Sequence, residues 1–309
     1  MQTASARYVD KPVFRSDLVT IGLFRCAPRS PHFRDSGPPE SFLFVFPRTA
    51  VEIAHEGQRP FLADTRVATV YNRGQRYQRR PVDPRGDACE WFGVDPILLA
   101  DAVASIDPRG GNEPRMPRRG WVSCPPWVYL RQRNLFNRLR SGPASDALGV
   151  EEEVVLLLRA LLTGAAERSA EPRPESLALV EAARRLLAES LGTPQTLSGV
   201  AAQLGYSPFH VCHTFRKLTG ASLHGYRTDL RLREALNRIS AAPRTDLSDL
   251  AQELGFSSHS HFTARFRRQF GVPPSAARNA KAAPHPRPRL GGAPESQLAR
   301  NGDPPSAHQ

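Results

Sequence analysis

Residues 197 to 278 carry one apolar and glycine pattern twice, about fifty residues apart, and this repeat constrains the fold more than any other feature. The first copy runs Leu197, Val200-Ala201, Leu204-Gly205-Tyr206-Ser207, Phe215-Arg216 and Gly220; the second runs Leu247, Leu250-Ala251, Leu254-Gly255-Phe256-Ser257, Phe266-Arg267 and Gly271. After the serine the second copy has one extra residue, so Phe215 answers to Phe266 and Gly220 to Gly271. Two equivalent units in one chain suit two contacts with a periodic partner, and double-stranded DNA is the obvious one.

The local chemistry of each copy is that of a helix-turn-helix. Thr196 and Asp246 precede the first helix and can accept hydrogen bonds from its free N–H groups. Gly205 and Gly255 stand where a helix needs a residue that tolerates positive φ in order to stop. Ser207 and Ser257 are expected to cap a second helix two residues on. A pair of helical hairpins in any α-helical protein is the bland alternative, and it leaves the matching second copy unexplained.

At about 100° per residue, Val211, Phe215 and Leu218 share a core stripe in the first copy, as do Phe262, Phe266 and Gln269 in the second. The opposite faces carry Phe209, His213, Arg216 and Lys217, and Ser260, Ala264, Arg267 and Arg268. Adjacent cations beyond neutral residues suit phosphate contacts beside base-edge contacts. Base readout is expected from Phe209, Cys212, His213, His259, Ser260, Thr263 and Ala264. Phosphate contacts are expected from Ser207, Arg216, Lys217, Ser257, Arg267 and Arg268. Residues Ser222 to Ile239 read as one long helix that holds the two reading helices apart, to match DNA segments about 34 Å apart.

The chain of 309 residues is long enough for two domains. Its formal net charge is +12, supplied almost wholly by arginine, since lysine occurs only at Lys11, Lys217 and Lys281. Compositional bias explains part of that excess, so its placement on the reading helices counts for more. Met1 to Asp10 is polar and has no signal-peptide core. The longest apolar stretch, Val154 to Ala166, is interrupted by Arg159 and too short to cross a bilayer. Cys26, Cys89, Cys124 and Cys212 are scattered with no CxxC pair, which fits a reducing compartment. With no spanning stretch and DNA as the partner, a cytoplasmic, nucleoid-associated setting and no membrane partner are expected.

The predicted fold class is multidomain α+β. Residues 1–125 form a β-rich domain with an N-terminal arm: Leu18–Phe24, Phe42–Phe46, Val51–Ile53 and Arg66–Tyr71 read as strands between turn formers such as His55-Glu56-Gly57, a small sandwich or jelly roll. Residues 126–168 form a helix pair whose apolar faces can serve as core beside the sheet or as a dimer surface. The segment is assigned to dimerisation, with Glu151, Glu152 and Glu153 in the first turn of its second helix. Residues 169–175 are a linker in which Pro172 and Pro174 block helix continuation. An all-α domain follows at 176–280, two helix-turn-helix units joined by a long helix. A disordered tail occupies 281–309.

Residues 176 to 278 resemble the DNA-binding domain of AraC/XylS-type transcription regulators. Gly220-Ala221-Ser222, Tyr226, Leu230-Arg231-Leu232 and Ala235 resemble the family's linker helix. Gly255-Phe256-Ser257-Ser258, Ser260-His261-Phe262, Phe266-Arg267, Phe270-Gly271, Pro274 and Arg278 resemble its C-terminal signature. The resemblance implies two units entering successive major grooves, with a sensing or dimerising domain elsewhere; residues 1–125 resemble the family's cupin-like domain more weakly. It also implies a homodimer, a possible small-molecule effector and, for an activator, RNA polymerase as a partner. Three departures stand out. His213 and Ala264 occupy positions where the family often has arginine, and neither makes arginine's bidentate contact to guanine. Gly199 sits inside a helix, at about 1 kcal/mol.

P-loop, nucleophile-elbow, zincin and dinucleotide motifs are absent. A metal cupin enzyme is one rival reading, but His32 and His55 are the only histidines before the linker, and His259-Ser260-His261 lies on a predicted helix where i and i+2 point apart. No catalytic residue, cofactor or metal ligand is therefore predicted. A fused DNA-repair methyltransferase would need a zinc-binding cysteine cluster. The other rival is redox or metal sensing by Cys26, Cys89 and Cys124 with His32, against the simpler reading of small buried hydrophobes.

Overall fold

The computed structural model describes residues 8–35, 37–104, 120–142, 146–166 and 173–278. The tail expected at 281–309 and most of the expected linker lie outside the described residues.

The strands β1 (Tyr8–Arg15), β2 (Val19–Cys26), β3 (Phe42–Pro47), β4 (Val51–His55), β5 (Phe61–Ala63), β6 (Val67–Tyr71), β7 (Tyr77–Pro81), β8 (Asp87–Val94) and β9 (Trp121–Ser123) form two sheets. Their orders are β1-β2-β8-β3-β6-β9 and β5-β4-β7, with every pairing antiparallel. Strand alternation sets the layers. In β4, Val51, Ile53 and His55 point inward while Glu52 and Ala54 lie at the margin. Phe24, Phe61, Val67, Tyr71 and Cys89 complete the core between the sheets. His55, expected in a turn, is instead the buried end of β4, at 2% exposure. Gly22 is required because Trp91 of β8 crosses it: an added Cβ would stand 2.2 Å from the indole.

The other face of the larger sheet is covered by helices α1 (Pro96–Ala104), α2 (Pro126–Ser141) and α3 (Ala147–Ala166). Ile21, Phe44, Val70 and Phe92 of the sheet pack with Val128, Leu135 and Phe136 of α2 and Val154, Leu158 and Leu161 of α3. Because α3 begins at Ala147, the three glutamates lie beyond its first turn, contrary to the sequence expectation. Buried Glu153 instead takes Arg131 and Arg138, while Glu151 accepts from Ser16 at 2.5 Å.

The C-terminal half contains α4 (Pro174–Glu189), α5 (Leu197–Leu204), α6 (Pro208–Thr219), α7 (Leu223–Ala241), α8 (Leu247–Glu253), α9 (His259–Phe270) and α10 (Pro274–Ala277). Pro174, expected in the linker, opens α4, where its missing N–H is not needed. The first half of α7 packs Leu223, Tyr226 and Leu230 with α4 and α6 around Phe215. Its second half packs Leu232, Leu236 and Ile239 in the core that holds Phe262, Phe266 and Phe270 of α9. Each phenylalanine so buried contributes about 1.5–3 kcal/mol.

The two halves share the apolar core that runs from the larger sheet and α2 into α7 and α9, and beside it they meet along a polar seam. Arg48 after β3 reaches Asn237 of α7 at 3.1 Å, Arg85 reaches Glu234 at 2.9 Å, and Arg185 of α4 pairs with Glu52. Arg233 of α7 donates to the carbonyl oxygens of Thr65 and Cys124 at 2.6 and 2.9 Å.

Candidate nucleic-acid interface

The repeat becomes two helix-turn-helix units with nearly matching caps. Thr196 Oγ1 accepts from Gly199 N at 3.1 Å, and a Cβ at 199 would stand 3.2 Å from that same oxygen. Asp246 Oδ1 accepts from Ser248 N and Asp249 N at 2.7 and 3.1 Å. Gly205 and Gly255 both have φ of +74°, and Gly220 and Gly271 close the second helices at +71° and +78°. Left-handed backbone at all four explains why glycine recurs there.

The second helices differ in their start. Ser207 Oγ accepts from His210 N at 3.2 Å and caps α6, as expected. In the second unit Ser258, not Ser257, caps α9, accepting from His261 N at 3.1 Å. The extra residue of the second copy moves the cap by one. Ser257 Oγ instead lies 3.1 Å from His261 Nδ1. Arg265 Nε donates to His261 Nε2 at 3.3 Å, so the ring is held from both sides.

Both reading helices turn their apolar stripe inward and leave the opposite face open. Val211 and Phe215 of α6 and Phe262, Phe266 and Phe270 of α9 are buried. Phe209, His213, Arg216 and Lys217 are exposed on α6; His259, Ser260, Ala264, Arg267 and Arg268 are exposed on α9. Cys212 and Thr263 are half-buried: Cys212 packs against the core of the first unit, and Thr263 Oγ1 lies 3.5 Å from His259 Nε2. The cations stand at the C-terminal ends, where they favour the negative end of each helix dipole.

Phe209 is 81% exposed and stacks on His213, with ring centroids 6.0 Å apart and planes 15° apart. Tyr206, which the sequence reading passed over, is 46% exposed and stacks on His210 at 5.2 Å and 23°. Its counterpart Phe256 is 8% exposed and packs on Phe262, so the repeat alone marks that position as core. The first unit thus presents two aromatic–imidazole stacks, one of them reaching from the turn before α6, whereas the face of α9 carries no exposed aromatic ring besides its histidines.

A second feature lies between the two sheets of the N-terminal half. A cavity of about 600 Å³ is walled by Phe24, Val45, Ile53, Tyr71 and Trp91, with Asp10, Arg15, Glu40, Arg79 and Asp87 as its charged lining. Arg79 Nη1 meets Asp87 Oδ2 at 2.6 Å, and Arg79 Nη2 donates to the His32 carbonyl at 3.0 Å. Burial pushes the Asp87 carboxyl above its ordinary range against the pull of Arg79. Nearby, burial among Phe61, Tyr71 and Tyr77 lowers His55 to about 4.

Cys26, Cys89 and Cys124 are buried and Cys212 half-buried, all as free thiols. Burial raises Cys89 well above the usual thiol range and Cys124 to about 11, the direction that suppresses thiolate chemistry. Among the described residues no group of three or more metal-ligating side chains converges, and no helix is long and apolar enough to cross a membrane.

A family model described as a helix-turn-helix domain matches residues 200–280. The HTH-type transcriptional activator RhaR of Pectobacterium carotovorum is 27% identical over 172 residues, 55% of this chain and 60% of RhaR. The multiple antibiotic resistance protein MarA of Escherichia coli is 33% identical over 86 residues, 28% of this chain and 67% of MarA. The regulatory protein PchR of Pseudomonas aeruginosa is 34% identical over 135 residues, 41% of this chain and 43% of PchR. The chain thus spans about half the length of RhaR and PchR. ToxT of Vibrio cholerae aligns over 86% of this chain and 98% of its own, at 10% identity and a TM-score of 0.36. The helix-turn-helix match and the likeness to MarA, on a chain that carries the duplicated caps and glycine stops, place it in the AraC family of DNA-binding transcription regulators.

Proposed function

We propose that this protein is a sequence-specific, effector-responsive regulator that binds duplex DNA as a homodimer, and that it is not an enzyme. The observation that carries this reading is the pair of capped reading helices whose open faces each end in two adjacent cations. Arg216, Lys217, Arg267 and Arg268 neutralise phosphates, and Ser207 and Ser257 donate hydroxyl hydrogens to phosphate oxygens at the helix starts. Phe209 packs on thymine methyl groups, while His213, His259 and Ser260 hydrogen-bond base edges beside Ala264; Cys212 and Thr263 flank this surface from their half-buried positions. Residues 176–280 are the DNA-reading domain and residues 1–125 the regulatory domain, whose cavity, lined by both aromatic and charged side chains, admits a small amphipathic effector. An activator of this design also meets RNA polymerase, and the setting is the cytoplasm with its nucleoid.

The dimer surface is the outward stripe of α3, Leu148, Glu152, Leu156 and Arg159, within the segment 126–168. Leu148 and Leu156 are 66% and 47% exposed. An antiparallel second copy, with its twofold axis near Val155 and Leu156, sets Glu152 of each protomer against Arg159 of the other.

The deciding experiment is a salt titration of full-length protein on a duplex selected from genomic fragments. Log affinity is expected to fall linearly with log salt by roughly 0.9 per neutralised phosphate, and Arg268→Ala to reduce that slope by about 0.9. Affinity indifferent to salt defeats the reading.

A further inference from the structure

The turn between β5 and β6, Asp64-Thr65-Arg66, belongs to the N-terminal half but is bonded to α7 along two of its turns. Tyr226 donates its hydroxyl hydrogen to Asp64 Oδ2, which also accepts from Arg184 Nη2 at 3.1 Å. Burial raises the Asp64 carboxyl, but Arg184, the Tyr226 hydroxyl and Arg66 outweigh it and hold the group below its ordinary range. The Arg66 guanidinium lies 4.2 Å from the centre of the Tyr226 ring, and its Nε meets Asp229 Oδ2 at 3.1 Å. Arg233 binds the Thr65 carbonyl and closes on Asp229 Oδ1 at 2.8 Å.

Two of these α7 residues are also the supports of the reading helices. Tyr226 packs edge-on against Phe215 of α6, with centroids 5.3 Å apart and planes at 82°. Asp229 accepts a hydrogen bond from Gln269 of α9. On its other side the turn runs directly into the strands that wall the cavity, through Ala63 of β5 and Thr69 and Tyr71 of β6. A second, small crevice of about 70 Å³ beside the turn is bordered by Arg66, Trp121, Leu218 and Tyr226.

We propose that Asp64 and Arg66 are positioning residues for DNA reading: one turn of the regulatory half sets both α6 and α9 through Tyr226 and Asp229, and couples them to whatever occupies the cavity. This rests on the regulator reading above. A seam that merely joined the halves would have no need to reach both readers and the cavity strands from a single turn. Coupling of this kind is reciprocal, so DNA must act on the cavity as the cavity acts on DNA binding.

Amide hydrogen exchange on the full chain, free and bound to a duplex selected from genomic fragments, tests the proposal without an effector. DNA is expected to change exchange across residues 61–71, which are remote from the reading faces, by at least about threefold. Arg66→Gln is expected to abolish that change while α6 and α9 remain protected by DNA, and Arg66→Lys, which keeps the charge, to restore most of it. Asp64→Asn, which keeps the side chain's shape, replaces Arg66→Gln if that variant does not fold. A wild-type response confined to residues 173–278, or one undiminished in Arg66→Gln and Asp64→Asn, overturns the proposal. Failure of the wild type to bind any duplex overturns the regulator reading itself, and the coupling with it.

Discussion

His55 shows how much one imbedded ring can determine. Its two ring nitrogens have no hydrogen-bond partner among the described residues, and aromatic rings enclose it. Burial lowers its pKa to about 4, below the unfolded value near 6.5, so the unfolded chain binds the extra proton first. Its contribution is therefore complete above about pH 6.5 and is lost as pH falls towards 4, at about 1.4 kcal/mol per pH unit and ~3 kcal/mol in all. Urea midpoints between pH 7 and pH 4.5 should fall more steeply for wild type than for His55→Leu; parallel curves would remove His55 as the cause. On the DNA side, Phe209→Ala should change preference at one base step by about 1–3 kcal/mol, read from selected-sequence profiles, while binding to unrelated duplex changes little. Phe209 was legible in the sequence because an aromatic opposite a complete core stripe has nowhere to be buried. Tyr206 was not, because the matching position in the second copy is core.

Among elements, the caps were the most legible, since a cap is decided within four residues of chain. The exception is instructive. Aligning the copies places Ser257 with Ser207, but α9 starts one residue later and Ser258 takes the role. Ser258→Ala should cost about 1 kcal/mol of stability and Ser257→Ala much less, as measured by chemical denaturation of each; the reverse order would restore the simple alignment. The strands at Val51–His55 and Val67–Tyr71 were signalled by alternation, and that at Phe42–Pro47 by an apolar run closed by proline. The start of α3 was missed although Asp146 caps it, accepting from Gly149 N at 2.9 Å, because the glutamate run beyond mimics a first turn.

At the scale of the whole molecule, the order of parts was written in composition and periodicity, but the way they meet was not. Arg184 and Asp64 lie 120 residues apart, and no local pattern marks either as half of a buried pair. The arginine excess hid them, since an arginine bound for a phosphate reads the same as one bound for a carboxylate. Assembly beyond one chain gives a further expectation. Leu156→Glu should shift full-length protein from dimer towards monomer in sedimentation at micromolar concentration, with looser binding to paired sites through lost effective concentration. Exchanging Glu152 and Arg159 together should keep the dimer, where either change alone weakens it; an undisturbed dimer in all variants would move the interface elsewhere. Finally, Arg233 is 1% exposed, with two of its hydrogen bonds on carbonyl oxygens of the other half. The covalent boundary between the halves is thus not their physical one. A chimera that grafts a foreign reading half onto residues 1–166 inherits two capless carbonyls unless the incoming linker helix brings its own guanidinium. Successful recombination in this family of shapes is expected to exchange the β5–β6 turn together with the helix that answers it.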